Sequence, residues 1–178
     1  MVELIEPVFR PNNENSVVKP QLLSHGTLEC RALKETRRFY EEFLGLECVR
    51  HAPQAMHARC GIKFSIVCVE VGDAVKPMSI LNHWGLEVES REAVEQAHKA
   101  AVAMKDKYRI GKITDPAPRH GIYSFYLEDL DGNFWEIENY DGSMHEDAFD
   151  FGDRFFDEEG ADLPCGLRDA AQERRSSG

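Results

Sequence analysis

No apolar run in this 178-residue chain reaches the ~18 residues that a membrane span needs. The first residues, Met-Val-Glu-Leu-Ile-Glu-Pro, lack the basic region and small-residue cleavage site of a secretory signal. Both absences predict a cytoplasmic protein. Positive charge is also short: 21 Lys and Arg face 32 Asp and Glu, a net charge of −11. Nucleic acid and anionic membranes reward Lys and Arg, so neither is an expected partner. Cysteine pairing is missing as well. The five cysteines are odd in number and form no CxxC, and Cys30, Cys48, Cys60 and Cys68 lie in apolar strand-like segments. That pattern predicts reduced, buried thiols rather than disulfides.

What is present is an apolar share of 42% and a length that fits one well-packed domain or two small, intimately packed halves. Residues 1–20 hold Pro7, Pro11, Asn12, Asn13, Asn15 and Pro20 without a clear period, and read as an N-terminal arm or an edge strand. Residues 21–30 then read as a strand and 31–43 as a helix, with Leu33, Thr36, Phe39, Tyr40 and Phe43 on one face and Gly45 as its stop. Strands near 46–50, 54–60 and 62–71 complete a β-α-β-β-β unit.

The unit recurs. Residues 81–89 read as a strand and 91–107 as a helix, with Ser90 as N-cap and Val94, Ala97, Ala101 and Met104 on one face. Strands follow near 109–113, 120–127 and 134–140. The openings of the halves also match. Leu23, His25, Leu28 and Glu29 stand against Leu81, His83, Leu86 and Glu87, an offset of 58 residues from His25 to His83. A repeat of this kind predicts an α+β fold of two tandem βαβββ modules, about 21–77 and 78–140, whose sheets form a partly closed barrel-like cleft. Beyond it, residues 141–178 carry eleven acidic residues against four Arg, about −7 of the net charge. Four phenylalanines (Phe149, Phe151, Phe155 and Phe156) lie among them, so the first part of this tail is expected to dock on the barrel or on a partner subunit. Residues 169–178 are expected to be disordered.

Chemistry concentrates at two histidines and one hairpin. His25 and His83 occupy the same point of the same strand in each half. If the halves pack about a pseudo-twofold axis, the two imidazoles approach each other there; otherwise each is a satisfied core histidine. The hairpin runs from Arg119 to Asn139, with Asp131-Gly132-Asn133 as its turn. Its last strand sets Glu136 between Trp135 and Ile137, which point to the opposite face. A carboxylate so placed faces either water or something that compensates its charge. Glu138 shares that face and competes for the role. Two His and one carboxylate with open positions form the facial triad that suits Fe(II), and equally Mn, Zn, Ni or Co.

With the two modules in order over residues 21–140, the chain resembles the vicinal oxygen chelate superfamily. That group includes glyoxalase I, methylmalonyl-CoA epimerase, fosfomycin and bleomycin resistance proteins and extradiol ring-cleavage dioxygenases. The resemblance implies metal ligands at His25, His83 and Glu136, the last inside Asp131-Gly132-Asn133-Phe134-Trp135-Glu136. The extradiol branch carries a His, a Ser-Phe-Tyr-like strand, the turn and the Glu. Here these are His120, Ser124-Phe125-Tyr126 and Glu136, although Leu130 stands where that branch usually has Pro. The resemblance thus implies catalytic roles for His120 and Tyr126, with Tyr126 bonding a metal-bound catecholate. His57 and His51 are candidates for a further active-site imidazole. The implied activity is Fe(II)-dependent extradiol cleavage of a small catecholic or related chelating substrate by O2, in a homodimer.

Two other readings stay open. One is a glyoxalase- or epimerase-type isomerase or lyase, with Glu70 or Glu138 as base. The other is a non-enzymatic small-molecule binder of the resistance type. His98 is expected on the solvated side of the second helix, and Glu70 at a solvated strand end or as a fourth ligand. Tyr126 and His120 could equally be a strand tyrosine and a turn residue.

Overall fold

The computed structural model describes residues 17–18, 23–61, 64–119 and 122–140. Nearly all of the N-terminal arm, His120 and the whole acidic tail lie outside the described residues. The first module is β1 (His25–Cys30), α1 (Leu33–Glu42), β2 (Glu47–Ala52), β3 (Ala55–Arg59) and β4 (Ser65–Glu70). A short 3-10 turn, Gly72–Ala74, leads to the second: β5 (His83–Glu87), α2 (Arg91–Ala103), α3 (Lys105–Tyr108), β6 (Ala117–Arg119), β7 (Ile122–Glu128) and β8 (Phe134–Tyr140).

Each module forms its own four-stranded mixed sheet, ordered β1-β4-β3-β2 and β5-β8-β7-β6. The pairings β1–β4 and β5–β8 are parallel, and the others are antiparallel. The barrel-like closure expected from the sequence is not formed: among the described residues no ladder joins one sheet to the other. The edge strands β1 and β5 meet through side chains instead. The Trp84 ring lies against Gly26, in the space that a Cβ there would take, and stacks obliquely on Phe64 at 5.9 Å. A ring of that size between two strands leaves no room for backbone pairing.

Alternating apolar residues bury one face of each sheet. Leu28, Cys30, Cys48, Met56, Ala58 and Cys68 pack beneath Leu33, Phe39 and Tyr40 of α1. Phe125, Leu127, Trp135 and Ile137 pack beneath Val94 and Ala101 of α2. The two cores are one. Tyr40 of α1 meets Trp135 of β8 edge-on at 5.1 Å. Thr36 donates to Asp131 at 2.6 Å, Tyr40 to Asp129 at 3.1 Å, and Asn133 to the Glu29 carbonyl at 3.1 Å. The turn of the second module therefore clasps the helix of the first.

Helix ends follow ordinary rules with one exception. Ser90 caps α2 by accepting from the Ala93 amide at 3.2 Å. Position 32, before α1, is an alanine and offers no cap. The Glu70 carboxylate, from the end of β4, accepts from the Leu33 amide at 2.7 Å and supplies the missing acceptor. Glu70 is thus a helix cap rather than a solvated strand end.

Three other expectations change. The second helix breaks at Met104, which is 40% exposed rather than on the apolar face. Residues 109–113 form no strand, only a bridge from Ile113 to Leu127; the edge strand is β6, where Pro118 is tolerated because an edge position need not donate. Cys30, Cys48 and Cys68 are buried free thiols, but Cys60 is exposed.

Candidate active site

On the face of the second sheet away from α2, cross-strand register gathers polar side chains. His83 opens β5, and Gly85 and Glu87 follow on the same face. Gly85 pairs with Glu136, Glu87 with Glu138, and on the other side Tyr126 pairs with Glu136. Both carboxylates are buried, at 4% and 6% exposure, although they point away from the apolar core. Burial of that degree demands partners. Glu136 has three: Ser124 donates to Oε1 at 2.5 Å, His83 Nε2 lies 3.0 Å from Oε2, and the Tyr126 hydroxyl donates to the same carboxylate. The Tyr126 ring also meets the His83 ring edge-on at 5.0 Å.

The state of His83 follows from its other nitrogen. Nδ1 lies 2.7 Å from the Ile80 carbonyl, which can only accept, so Nδ1 carries a proton. In the neutral ring Nε2 is then a lone pair facing a carboxylate oxygen. Two acceptors at this distance repel unless a proton or a metal cation neutralises them. A ring held by a backbone carbonyl, with its free nitrogen beside a carboxylate, is the arrangement that metal-ligating histidines adopt. This donor pair fits a divalent transition metal.

His25 does not join the pair. Among the described residues, no three His, Cys, Asp or Glu side chains are gathered closely enough to hold a metal ion. His25 is exposed on β1, with Nδ1 2.9 Å from Ser24 Oγ. The pKa of His57 is lowered by burial first, then by the neighbouring His51 and His25. His51 and His57 lie 4.1 Å apart, and His57 Nδ1 is 2.9 Å from Ser65 Oγ. The three imidazoles of the first module thus share one region, separate from the His83–Glu136 pair. His98 packs its ring edge against buried Phe125 at 5.2 Å, not on the solvated side of its helix.

Electrostatics on the second sheet favour protons near the pair. Burial, then the hydrogen bond and charge of Glu136, push Tyr126 up to about 12. Burial, with Glu136 and Glu87 adding to it, raises Glu138 to about 7. Glu138 has room only because residue 85 is glycine: a Cβ there would stand 2.6 Å from its Oε1. Sequence reading passed over Gly85 and Glu87 as site residues. Alternation with His83 would have found both, since all three share a strand face.

Solved structures of similar fold include a fosfomycin resistance protein, FosX, from Listeria monocytogenes. It is 22% identical over 73% of this chain and 100% of that chain, with a TM-score of 0.57. A glyoxalase-related enzyme from Fulvimarina pelagi is 24% identical over 67% of this chain and 88% of its own, with a TM-score of 0.54. A glyoxalase/bleomycin resistance protein/dioxygenase family enzyme from Burkholderia phytofirmans PsJN is 19% identical over 66% and 97%, also at 0.54. No curated protein matches the chain. Residues 22–137 match the family model for these folds, and the chain belongs to the Glyoxalase/Bleomycin resistance protein/Dioxygenase superfamily.

Proposed function

We infer that the protein is a metal-dependent enzyme acting on a small substrate with vicinal oxygens, and that its reaction is Fe(II)-dependent extradiol-type cleavage of a catecholic compound by O2. One observation carries this reading: a buried carboxylate that a histidine Nε2 and a tyrosine hydroxyl approach together, Glu136 with His83 and Tyr126. His83 and Glu136 would hold the metal, with His25, which does not join them in this structure, drawn in as third donor on binding, and Fe(II), or Mn, Zn, Ni or Co, would supply Lewis acidity and, for the redox-active ions, access to O2. The Ile80 carbonyl fixes the His83 ring, and Ser124 fixes the carboxylate. Tyr126 keeps its proton well above neutrality, so it is a hydrogen-bond donor to an oxyanion that develops beside Glu136. A homodimer belongs to the same proposal.

A second reading, an isomerase or lyase, is favoured by Glu138. Its buried carboxylate shares the face of Glu136 and has no side-chain hydrogen bond among the described residues, which leaves it free to accept a substrate proton. Oxygen uptake separates the two. Anaerobically purified, Fe(II)-loaded protein is mixed with a panel of catechols. Stoichiometric uptake with a ring-opened product, lost in His83→Ala and in His25→Ala, supports the dioxygenase. Retained metal without uptake moves the assignment to the isomerase. Wild-type metal binding by His25→Ala would remove His25 from the ligand set.

A further inference from the structure

Away from the His83–Glu136 pair, two imidazoles meet on the first sheet. His51 of β2 and His57 of β3 stand with their ring centres 4.1 Å apart and their planes tilted by 48°. A fault in the ladder brings them together. Arg50 pairs with Met56 and Ala52 with Ala55, so between those partners β2 carries one extra residue, His51, and β3 carries none. Such a bulge twists its strand and re-aims the side chain at the extra position. His57 is held from its other side, with Nδ1 2.9 Å from Ser65 Oγ of β4. That contact occupies Nδ1 and leaves Nε2 as the remaining nitrogen of the ring. A histidine oriented through one nitrogen is prepared to ligate through the other. The neighbouring cations are engaged elsewhere. Arg59 pairs with Glu47 at 2.8 Å, and the Arg50 guanidinium donates to the Ala52 and Pro53 carbonyls.

The spacing selects the ion. A ligating imidazole sets its metal about 2.0–2.1 Å from the donor nitrogen, and so about 3.2 Å from the ring centre. Two such arms whose ends lie 4.1 Å apart subtend about 80°. That is close to the angle of about 90° between neighbouring positions of a square-planar or octahedral ion. A tetrahedral ion, at about 109°, would need the ring centres about 5.2 Å apart. We propose that His51 and His57 form a second metal site, which takes Cu(II) or Ni(II) in adjacent positions of a tetragonal shell completed by water. Imidazole donors in that geometry suit these two ions. Only two side chains contribute, in keeping with the lack of any three-residue cluster among the described residues. The site has no carboxylate, and it stands whether or not the reading of the His83–Glu136 pair holds.

Metal titration of untagged, full-chain protein tests it. His83→Ala, which disables the other pair, is titrated with Cu(II), Ni(II) and Zn(II) by calorimetry, and the Cu(II) centre is read by electron paramagnetic resonance. The expected result is one equivalent of bound Cu(II) with a tetragonal spectrum and nitrogen couplings, and tighter binding of Ni(II) than of Zn(II). Adding His51→Asn or His57→Asn should weaken Cu(II) binding about tenfold or more. If the substituted chains do not fold, ring-proton NMR of the wild-type protein decides: substoichiometric Cu(II) should broaden the His51 and His57 signals ahead of that of His98. Failure to bind Cu(II), binding that survives in folded His51→Asn and His57→Asn, or His51 and His57 signals left sharp in the wild type would each overturn the site. A preference for Zn(II) over Ni(II) would overturn its tetragonal geometry.

Discussion

Asp129 is the residue on which most of the module junction converges. Its Oδ1 accepts from the amides of Asp131 and Asn133, each at 2.9 Å, and its Oδ2 from Trp135 Nε1 at 3.2 Å and Tyr40 at 3.1 Å. Burial still pushes its pKa up to about 6, against the amide donors that pull it down. A folded pKa above the unfolded value means that the native state binds this proton more tightly. Asp129 therefore costs stability as pH rises from about 4 through 6. Asp129→Asn keeps one acceptor oxygen but turns an NH2 toward donors, so the variant should lose about 2 kcal/mol or more at neutral pH. Urea unfolding at pH 4.5 and 6.5 should show a larger wild-type advantage at the lower pH; an advantage that shrinks on acidification would contradict the shift.

Thiol chemistry is the second prediction at this scale. Burial raises Cys48 to about 11, and Cys30 and Cys68 are fully enclosed. Among these described thiols, only Cys60 should be labelled by a water-soluble alkylating reagent at pH 8 in native protein, with Cys30, Cys48 and Cys68 reacting after unfolding. Peptide mapping of a native pulse would show it. The cysteine expectation was thus right where apolar alternation continues through the strand. It failed at Cys60, which sits past the end of β3, where Gly61 adopts φ +95°.

Among elements, β1 and β5 matter most, because they begin with the repeat-equivalent histidines and meet at the junction. Gly26 and Trp84 share that junction. Gly26→Ala drives a Cβ into the indole, and either the ring swings out or the strands part, for about 1–3 kcal/mol. Tryptophan emission should shift to the red; an unshifted spectrum with unchanged stability would mean that the ring has other room. The strand repeat was legible in sequence because His25, Leu28, His83 and Leu86 keep one period. The separation of His25 from His83 was not. It depends on how far apart an intervening indole holds the two edges, and no local pattern encodes that distance. The same limit applies to β6. Turn chemistry located the hairpin from Asp131 to Asn133, but Pro116 and Pro118 masked a short edge strand. Glu136 was legible because Trp135 and Ile137 bracket it. Its serine and tyrosine partners come from the neighbouring strand and required register.

At the scale of the whole molecule, two modules share a single core. α1 is capped by Glu70 from its own module and by turn residues of the other, while Tyr108 of α3 donates to Glu42 at 2.9 Å and Arg109 pairs with Glu35. Residues 23–140 should therefore unfold in one step. Far-ultraviolet dichroism and tryptophan emission are expected to give the same denaturant midpoint. Two resolved transitions would show that the modules are independent.

The clasp has a consequence in time. Its partners, Arg31 and Asp131, are separated by 100 residues, with the Arg31 amide bonded to Asp131 at 2.8 Å. A ribosome adding some 5–20 residues each second leaves α1 waiting for several seconds before that turn exists. During the interval the ring of Tyr40 faces a vacancy that Trp135 later fills. The nascent first half is thus the span most exposed to chaperones and to wrong partners, and β8 is the strand that ends the exposure.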